Sequence, residues 1–433
     1  MSTQGSPSKD LRGPIAFLAG GVLGSTIFAL GSLGTDRLEG EDLRGYADVR
    51  GLVEDEFVEA RSRDRLLTAA IEGLVADLDP YSRFYSGEDL RRVERSTSGS
   101  YLGLGAVFLY PTEAGIVLFP MVGSPAEQAG LVVGDRVLAI DGELLADMPA
   151  GEFERRLRTL TEVPIELLVE RGPGEPRALV VQPADVVDPT VRHGELLQGE
   201  IGYLAVTSFS RHTLEEFDTE MARLTDAGMG SLVLDLRGNL GGVLDAATAI
   251  ANRFIPEGTL LITETRSGPR VTSALADEAT YAATPVVVLV DEDSASASEV
   301  LAGALQDHRI AVLVGTSTYG KGTVQTMVPT QTPEGIVKVT TGFYTTPSGR
   351  SIDRHYRAAI EGAETAITPD VLVHLSDEGR LDVRRFLTSY SPPPALAEAV
   401  GKLQDGLNRQ RTMHPETDLQ LAAALALLTG DAL

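Results

Sequence analysis

Leu289–Gln325 reads LVDEDSASASEVLAGALQDHRIAVLVGTSTYGKGTVQ, and the fold turns on it. It continues an apolar run, Pro285–Val290, long enough for a buried strand. A small-residue polar loop follows over Asp291–Ser298, then Glu299–His308 has helix-favouring composition and Ile310–Gly315 is a second apolar run. Strand, loop, helix, strand is a βαβ unit, whose strands are parallel and whose crossover is right-handed. Both loops then lie at the carboxyl edge of the sheet, where open α/β folds place their chemistry. The serines of the first loop and Lys321 of the second are thereby brought to one side.

A serine hydroxyl is a poor nucleophile until a base takes its proton. A lysine does this only when neutral; its free pKa is ~10.4, so burial or neighbouring positive charge is required. Gly320 and Gly322 flank Lys321 and allow close backbone approach. Ser296 stands where the helix begins, so backbone N–H groups and the positive end of the helix dipole face a developing oxyanion. Ser–Lys pairs are a known variant of the triad. The competing reading makes Ser294, Ser296 and Ser298 simple helix caps and turn residues.

SASASE, AGALQD and YGKGTVQ together resemble the active-site region of the carboxyl-terminal processing (tail-specific) serine peptidases. The resemblance implies Ser296 as nucleophile, Lys321 as general base and Gln325 as the group that orients the lysine. On an extended segment residues four apart share a face, which suits that last role. The likeness runs over most of the chain after about Asp42. It implies a multi-domain α/β protein: a PDZ domain inserted between an amino-terminal helical segment and a crotonase-like α/β serine peptidase core, with helices at the carboxyl end.

Composition narrows the rest. A chain of 433 residues exceeds one ordinary domain, and 43% hydrophobic with 23% charged residues is globular. A net charge of −25 argues against nucleic acid as a partner. Cysteine is absent, which removes thiol nucleophiles, disulfides and thiolate metal sites. The six histidines are scattered with no His-Glu-x-x-His, which argues against a zincin; no metal or cofactor is expected.

In chain order, residues 1–40 hold a short polar tip and then Pro14–Gly34, which carries no charge. About 20 apolar residues span a bilayer. Lys9 and Arg12 before the run, with Asp36, Glu39, Glu41 and Asp42 after it, place the tip in the cytoplasm and the body outside. The run is read as an uncleaved inner-membrane anchor, with signal-peptide cleavage near Ala29–Gly31 the open alternative. The expected location is the cell envelope, with the body in the periplasm or otherwise exported.

Residues 41–96 show helical periodicity, broken by LDPYSRFYS (Leu78–Ser86), where Tyr81 stands in place of a family histidine. This region is expected to supply packing or dimer contact. Residues 97–183 resemble a PDZ domain. In Tyr101–Ala106 (YLGLGA), the segment Leu102, Gly103, Leu104, Gly105 and Ala106 is expected to hold a peptide's terminal carboxylate and to accept its strand. Glu152–Leu160 is expected to be the helix lining that groove.

Residues 184–385 are the expected catalytic core, entered through a polar connection, Ala184–Gly199. Glu200–Ser210 reads as a strand, Leu214–Ala227 as a helix, Ser231–Leu236 as a strand and Val243–Phe254 as a helix. Between the last two lies RGNLGG (Arg237–Gly242), whose glycines at a helix start suit an anion. The family resemblance assigns an oxyanion hole to Gly242 and Ala297; Gly241 is an equal alternative by spacing, and Leu240 replaces the usual proline. Residues 386–433 are read as terminal helices that pack on the core or on a second copy.

The implied partners are proteins with free carboxyl-terminal tails and the inner membrane, with a homo-oligomer and an adaptor left open. Two other functions compete. Gly315–Lys321 fits the phosphate-binding loop pattern, but Gly322 takes the place of the required Ser or Thr, and TVQTMVPT reads as strand where a helix is needed. An anchored PDZ scaffold with an inactive protease fold requires loss of Ser296 or Lys321, and both are present. No G-x-S-x-G elbow supports a histidine-dependent hydrolase.

Overall fold

The computed structural model describes residues 40–109, 115–331, 333–354, 365–407, 414 and 416–431; the expected anchor Pro14–Gly34 lies outside them. Among the described residues no helix is long and apolar enough to cross a membrane. Helices α1 (Gly40–Glu56) and α2 (Arg63–Ala76) come first, then strand β1 (Arg83–Tyr85), α3 (Gly87–Ser98) and β2 (Ser100–Gly103). A small β unit follows: β3 (Ala106–Leu109), β4 (Gly115–Pro120), α4 (Pro125–Gln128), β5 (Arg136–Ile140), β6 (Glu143–Leu144), α5 (Glu152–Arg158), β7 (Ile165–Glu170) and β8 (Arg177–Val181). β9 (Ala184–Val187) and β10 (Val191–Leu197) lead on to β11 (Ile201–Val206), α6 (Thr213–Asp226), β12 (Ser231–Asp235) and α7 (Leu244–Phe254). After β13 (Thr259–Thr265) and β14 (Gly268–Ser273) come β15 (Val286–Val290), α8 (Ala297–Asp307) and β16 (Ala311–Gly315). The chain finishes with β17 (Thr323–Gln331), β18 (Glu334–Thr345), β19 (Val371–Leu372), α9 (Asp377–Thr388), α10 (Ala397–Gly406) and α11 (Leu419–Thr429).

The central sheet runs β10-β11-β12-β15-β16-β19, parallel throughout except at the β10 edge. β15 (VVVLV) is buried along its whole length because both sheet faces are covered. Val286, Val288 and Val290 meet α6, α7 and α8, whereas Val287 and Leu289 meet α9 and α11. The parallel β15–β16 pair and the intervening helix are as the apolar runs predict.

Ala184–Gly199 differs from its expected role as a plain connection. It forms β9, paired with β2 at the neck of the β unit, and β10, paired antiparallel with β11. The β10 register shifts between Arg192 and Glu195, and His193 there has φ of 58°. An edge strand needs only a half-buried face, so its polar composition hid it.

In the β unit the sheet order is β3-β4-β5-β7-β8 around a core of Val117, Leu131, Val137, Leu167 and Val169. α5 covers the core with the buried Phe153, as expected for the groove helix. Val400 of α10 packs on Leu118 and Phe119 of β4, which ties the carboxyl-terminal region to this unit. A third, antiparallel sheet (β1-β18-β13-β14, with β17 on β18) takes the chain directly after Lys321. The amino-terminal region joins it through β1, with Arg83 opposite Lys338.

Candidate active site

Three loops gather at the carboxyl ends of β12, β15 and β16, the edge that the parallel topology prescribes. The loop after β15 separates its three serines. Ser294 and Ser298 are fully buried, their hydroxyls donating to the Leu236 carbonyl at 2.9 Å and the Asn239 carbonyl at 2.8 Å. Ser296 is partly exposed and stands at the start of α8 with φ of 57° and ψ of −113°. A non-glycine residue seldom holds such backbone, and it persists only where the surroundings over-determine it.

Glu299, 0% exposed, supplies much of that determination. One carboxylate oxygen accepts from the N–H groups of Ser296 at 2.8 Å and Lys321 at 2.9 Å. The other accepts from Thr318 Oγ1 at 2.6 Å and the Gly320 N–H at 2.7 Å. One carboxylate therefore fixes both the serine turn and the lysine loop. Burial pushes its pKa up, against the pull of these donors. On the opposite side the Tyr344 hydroxyl lies against the Lys321 carbonyl and 3.0 Å from the Ser296 carbonyl, a second bridge between the same residues.

Lys321 is half-buried. Burial is the main force lowering its pKa, the charge of Lys338 adds to it, and Glu299 opposes both. A Cβ on Gly320 would fall 1.9 Å from the Thr365 carbonyl oxygen, so only glycine passes here. The Lys321 amine stands 5.0 Å from the centroid of the Tyr81 ring. Among the described residues no hydrogen bond joins it to Ser296 Oγ. Gln325 lies past a register shift in β17, and its amide donates to Thr323 Oγ1 at 2.8 Å rather than to the lysine.

The loop after β12 approaches from the other side. Asn239 holds it: its carbonyl accepts from the Ala295 N–H at 2.9 Å, and its side chain accepts from the Gly241 N–H at 2.9 Å. The Gly241 N–H is thus engaged, whereas the N–H groups of Gly242 and Ala297 have no partner among the described residues. A Cβ on Gly242 would come within 2.0 Å of the Phe209 carbonyl oxygen, so the loop needs glycine there.

Asp291 joins this loop to the serine loop, accepting from the Gly238 N–H at 2.9 Å and the Ser294 N–H at 3.0 Å. Burial raises the Asp291 carboxyl to about 6. Beneath it Arg237, 2% exposed, is held between Asp235 and Asp418, with bonds of 2.6 Å and 2.8 Å from Nη2. Asp418 caps α11 by accepting from the Leu421 N–H at 3.0 Å.

In the β unit, Leu102 and Gly103 end β2 and Ala106 begins β3, which forms an edge of its sheet. The carbonyls of Leu104 and Gly105 accept from Ala126 and Met121, both at 2.8 Å. Their N–H groups have no partner among the described residues, so two donors stand at the head of an open strand edge.

Glu299, Tyr344, Asn239, Asp291 and Tyr81 did not emerge as site residues from the sequence. Only Glu299 carried a local signal: Ser-x-x-Glu over Ser296–Glu299 is a capping-box pattern.

Comparison with known proteins gives the family. The profile of peptidase family S41 matches residues 200–373, and that of the PDZ domain matches residues 117–171. The chain is 30% identical over 377 residues to the carboxy-terminal-processing protease of Bartonella bacilliformis, spanning 84% of this chain and 83% of that one. It is 34% identical over 312 residues to the carboxy-terminal processing protease CtpB of Bacillus subtilis, spanning 70% and 64% of the two chains. Among solved structures, the photosystem II D1 C-terminal processing protease is 29% identical, with coverage of 76% and 86% and a TM-score of 0.45. The chain belongs to peptidase family S41: it is a serine peptidase of the carboxy-terminal-processing group and carries a PDZ domain.

Proposed function

We propose that this is an envelope endopeptidase that cuts exported proteins presented by their free carboxyl-terminal tails, with Ser296 as nucleophile and Lys321 as general base. The observation that carries the reading is the division among the three serines. Ser294 and Ser298 are buried with their hydroxyls engaged, while Ser296 is accessible, strained and tied through Glu299 to the lysine loop.

In the reaction, Ser296 Oγ bonds to the scissile carbonyl carbon as neutral Lys321 takes its proton. The N–H groups of Gly242 and Ala297 stabilise the oxyanion. Gly241, whose N–H already serves Asn239, is the weaker candidate. The carbon–nitrogen bond breaks as Lys321 returns the proton to the leaving amine, and water then releases the acyl group with the same lysine as base. A rotation of the lysine side chain brings its amine to hydrogen-bond distance of Oγ, where Gln325 supports it.

The substrate tail enters at Leu102–Ala106: the Leu104 and Gly105 N–H groups bind its carboxylate, and β3 accepts its strand. Residues 1–40 provide the cytoplasmic tip and membrane anchor, 41–96 the amino-terminal region, 97–183 the PDZ domain, 184–385 the catalytic core and 386–433 the carboxyl-terminal helices.

The test uses the full-length chain and a quenched-fluorescent peptide with an apolar tail, offered with a free or an amidated carboxyl end. Ser296→Ala and Lys321→Ala are each expected to abolish cleavage with the fold intact, and the amide to be cut more slowly. Full activity in either variant refutes the dyad, and equal rates for the two peptides remove carboxylate capture.

A further inference from the structure

Tyr81 sits just ahead of β1, and Asp79 fixes its backbone. One Asp79 oxygen accepts from the N–H groups of Tyr81 at 2.7 Å and Ser82 at 2.8 Å, and the other accepts from Ser82 Oγ at 2.6 Å. Ser82 Oγ in turn accepts from the Thr340 N–H at 3.1 Å, and β1 pairs with β18 immediately afterwards. The turn is clamped onto the strand that also carries Tyr344, whose hydroxyl bridges the Ser296 and Lys321 carbonyls. From that clamp the Tyr81 ring presents itself 5.0 Å from the Lys321 amine.

We propose that Tyr81 is a positioning residue for Lys321, its ring holding the charged amine on the side of the amino-terminal region and opposing loss of the proton. The proposal rests on Lys321 being the base. A ring attracts the ammonium through its quadrupole and offers a neutral amine no comparable pull, and the effect grows with desolvation. The ionisable groups around Lys321 are Lys338 and Tyr344 from β18, Glu299 from α8, Tyr81 itself, and the buried Asp353, which accepts from the neighbouring Gly322 N–H at 3.0 Å. Burial and Lys338 drive the proton off and Glu299 retains it; on this proposal the ring adds to the retention. Of these influences the ring is the one that substitution removes without changing any charge at neutral pH. It also makes the availability of the base depend on a segment outside the core domain.

The acid limb of kcat/KM against pH reports the ionisation of the free enzyme's base. Profiles of the full-length chain would be recorded with the free-carboxylate peptide for wild type, Tyr81→Leu, Tyr81→Phe and Tyr81→Trp. Tyr81→Leu is expected to move the limb to lower pH by about half to one unit. Below the limb kcat then rises by roughly three- to tenfold while KM stays nearly constant. Tyr81→Phe keeps the limb in place, and Tyr81→Trp, with the strongest ring, moves it to higher pH. A limb unmoved in Tyr81→Leu, or moved equally by Tyr81→Phe, overturns the proposal. Should Tyr81→Leu fail to fold, a Tyr81→Trp limb no higher than wild type overturns it instead. If Lys321→Ala retains activity, the general-base reading has failed; an inactive Lys321→Ala beside an unmoved Tyr81→Leu limb sinks the Tyr81 proposal alone.

Discussion

Glu299→Gln tests whether one carboxylate assembles the site. Each Glu299 oxygen serves two donors: Ser296 and Lys321 N–H on one, Thr318 hydroxyl and Gly320 N–H on the other. A carboxamide has the same shape but a single acceptor, so two of the four donors face an NH2 group whichever way it turns. Hydrogen bonds to a charged group contribute about 1.5–3 kcal/mol each, so the gross loss is about 3–6 kcal/mol. Removing a buried charge whose pKa is already pushed up by desolvation offsets part of this, leaving a net loss of about 2–4 kcal/mol. For a domain of this size that corresponds to a fall in Tm of about 4–16 °C. The melt is best followed in a Ser296→Ala background, which on the proposed dyad is inactive. In the active background kcat is expected to fall about a hundredfold, because a displacement of ~1 Å at the serine or lysine is enough for that. A Gln variant that melts within about 1 °C of its parent and cleaves at full rate would refute the reasoning.

Two further outcomes follow from the loop beneath. Burial lifts Asp291 from an ordinary 3.8 to about 6, so the folded state binds its proton more tightly than the unfolded state does. Its contribution is therefore complete below the unfolded value and is lost as pH climbs through the folded one, about 3 kcal/mol across roughly pH 4 to 6. Denaturant titrations of wild type and Asp291→Asn at stepped pH should show a flatter dependence in the variant, and parallel curves would exclude this role. Arg237→Met leaves Asp235 and Asp418 buried without their cation and should destabilise the core by about 3–5 kcal/mol, measured by thermal unfolding. A wild-type melting curve for that variant would show that the triad holds nothing in place.

The sequence carried the fold where physics is local. The apolar runs around Val288 and Leu313 could only be parallel strands buried on both faces, and that placed Ser296 and Lys321 at one edge. The helix between them began within two residues of the expected position. β10 escaped because a half-buried edge strand keeps polar residues. Glu299 looked like no more than a capping-box residue, because three of its four partners lie in the distant loop Thr318–Lys321. Tyr81 and Asp418 reach the site only through long-range pairing, by β1 on β18 and by the clamp on Arg237. No periodicity or spacing encodes such meetings.

The clamp on Arg237 has a temporal meaning. Its second carboxylate lies 181 positions further along the chain. Ribosomes deliver residues in order, so the glycine loop beside Ser296 exists long before the group that anchors it from below. Closing so large a loop comes late and slowly in folding. A half-made molecule thus holds its serine loop beside a glycine loop that is not yet seated, and that seat is complete only once α11 has docked.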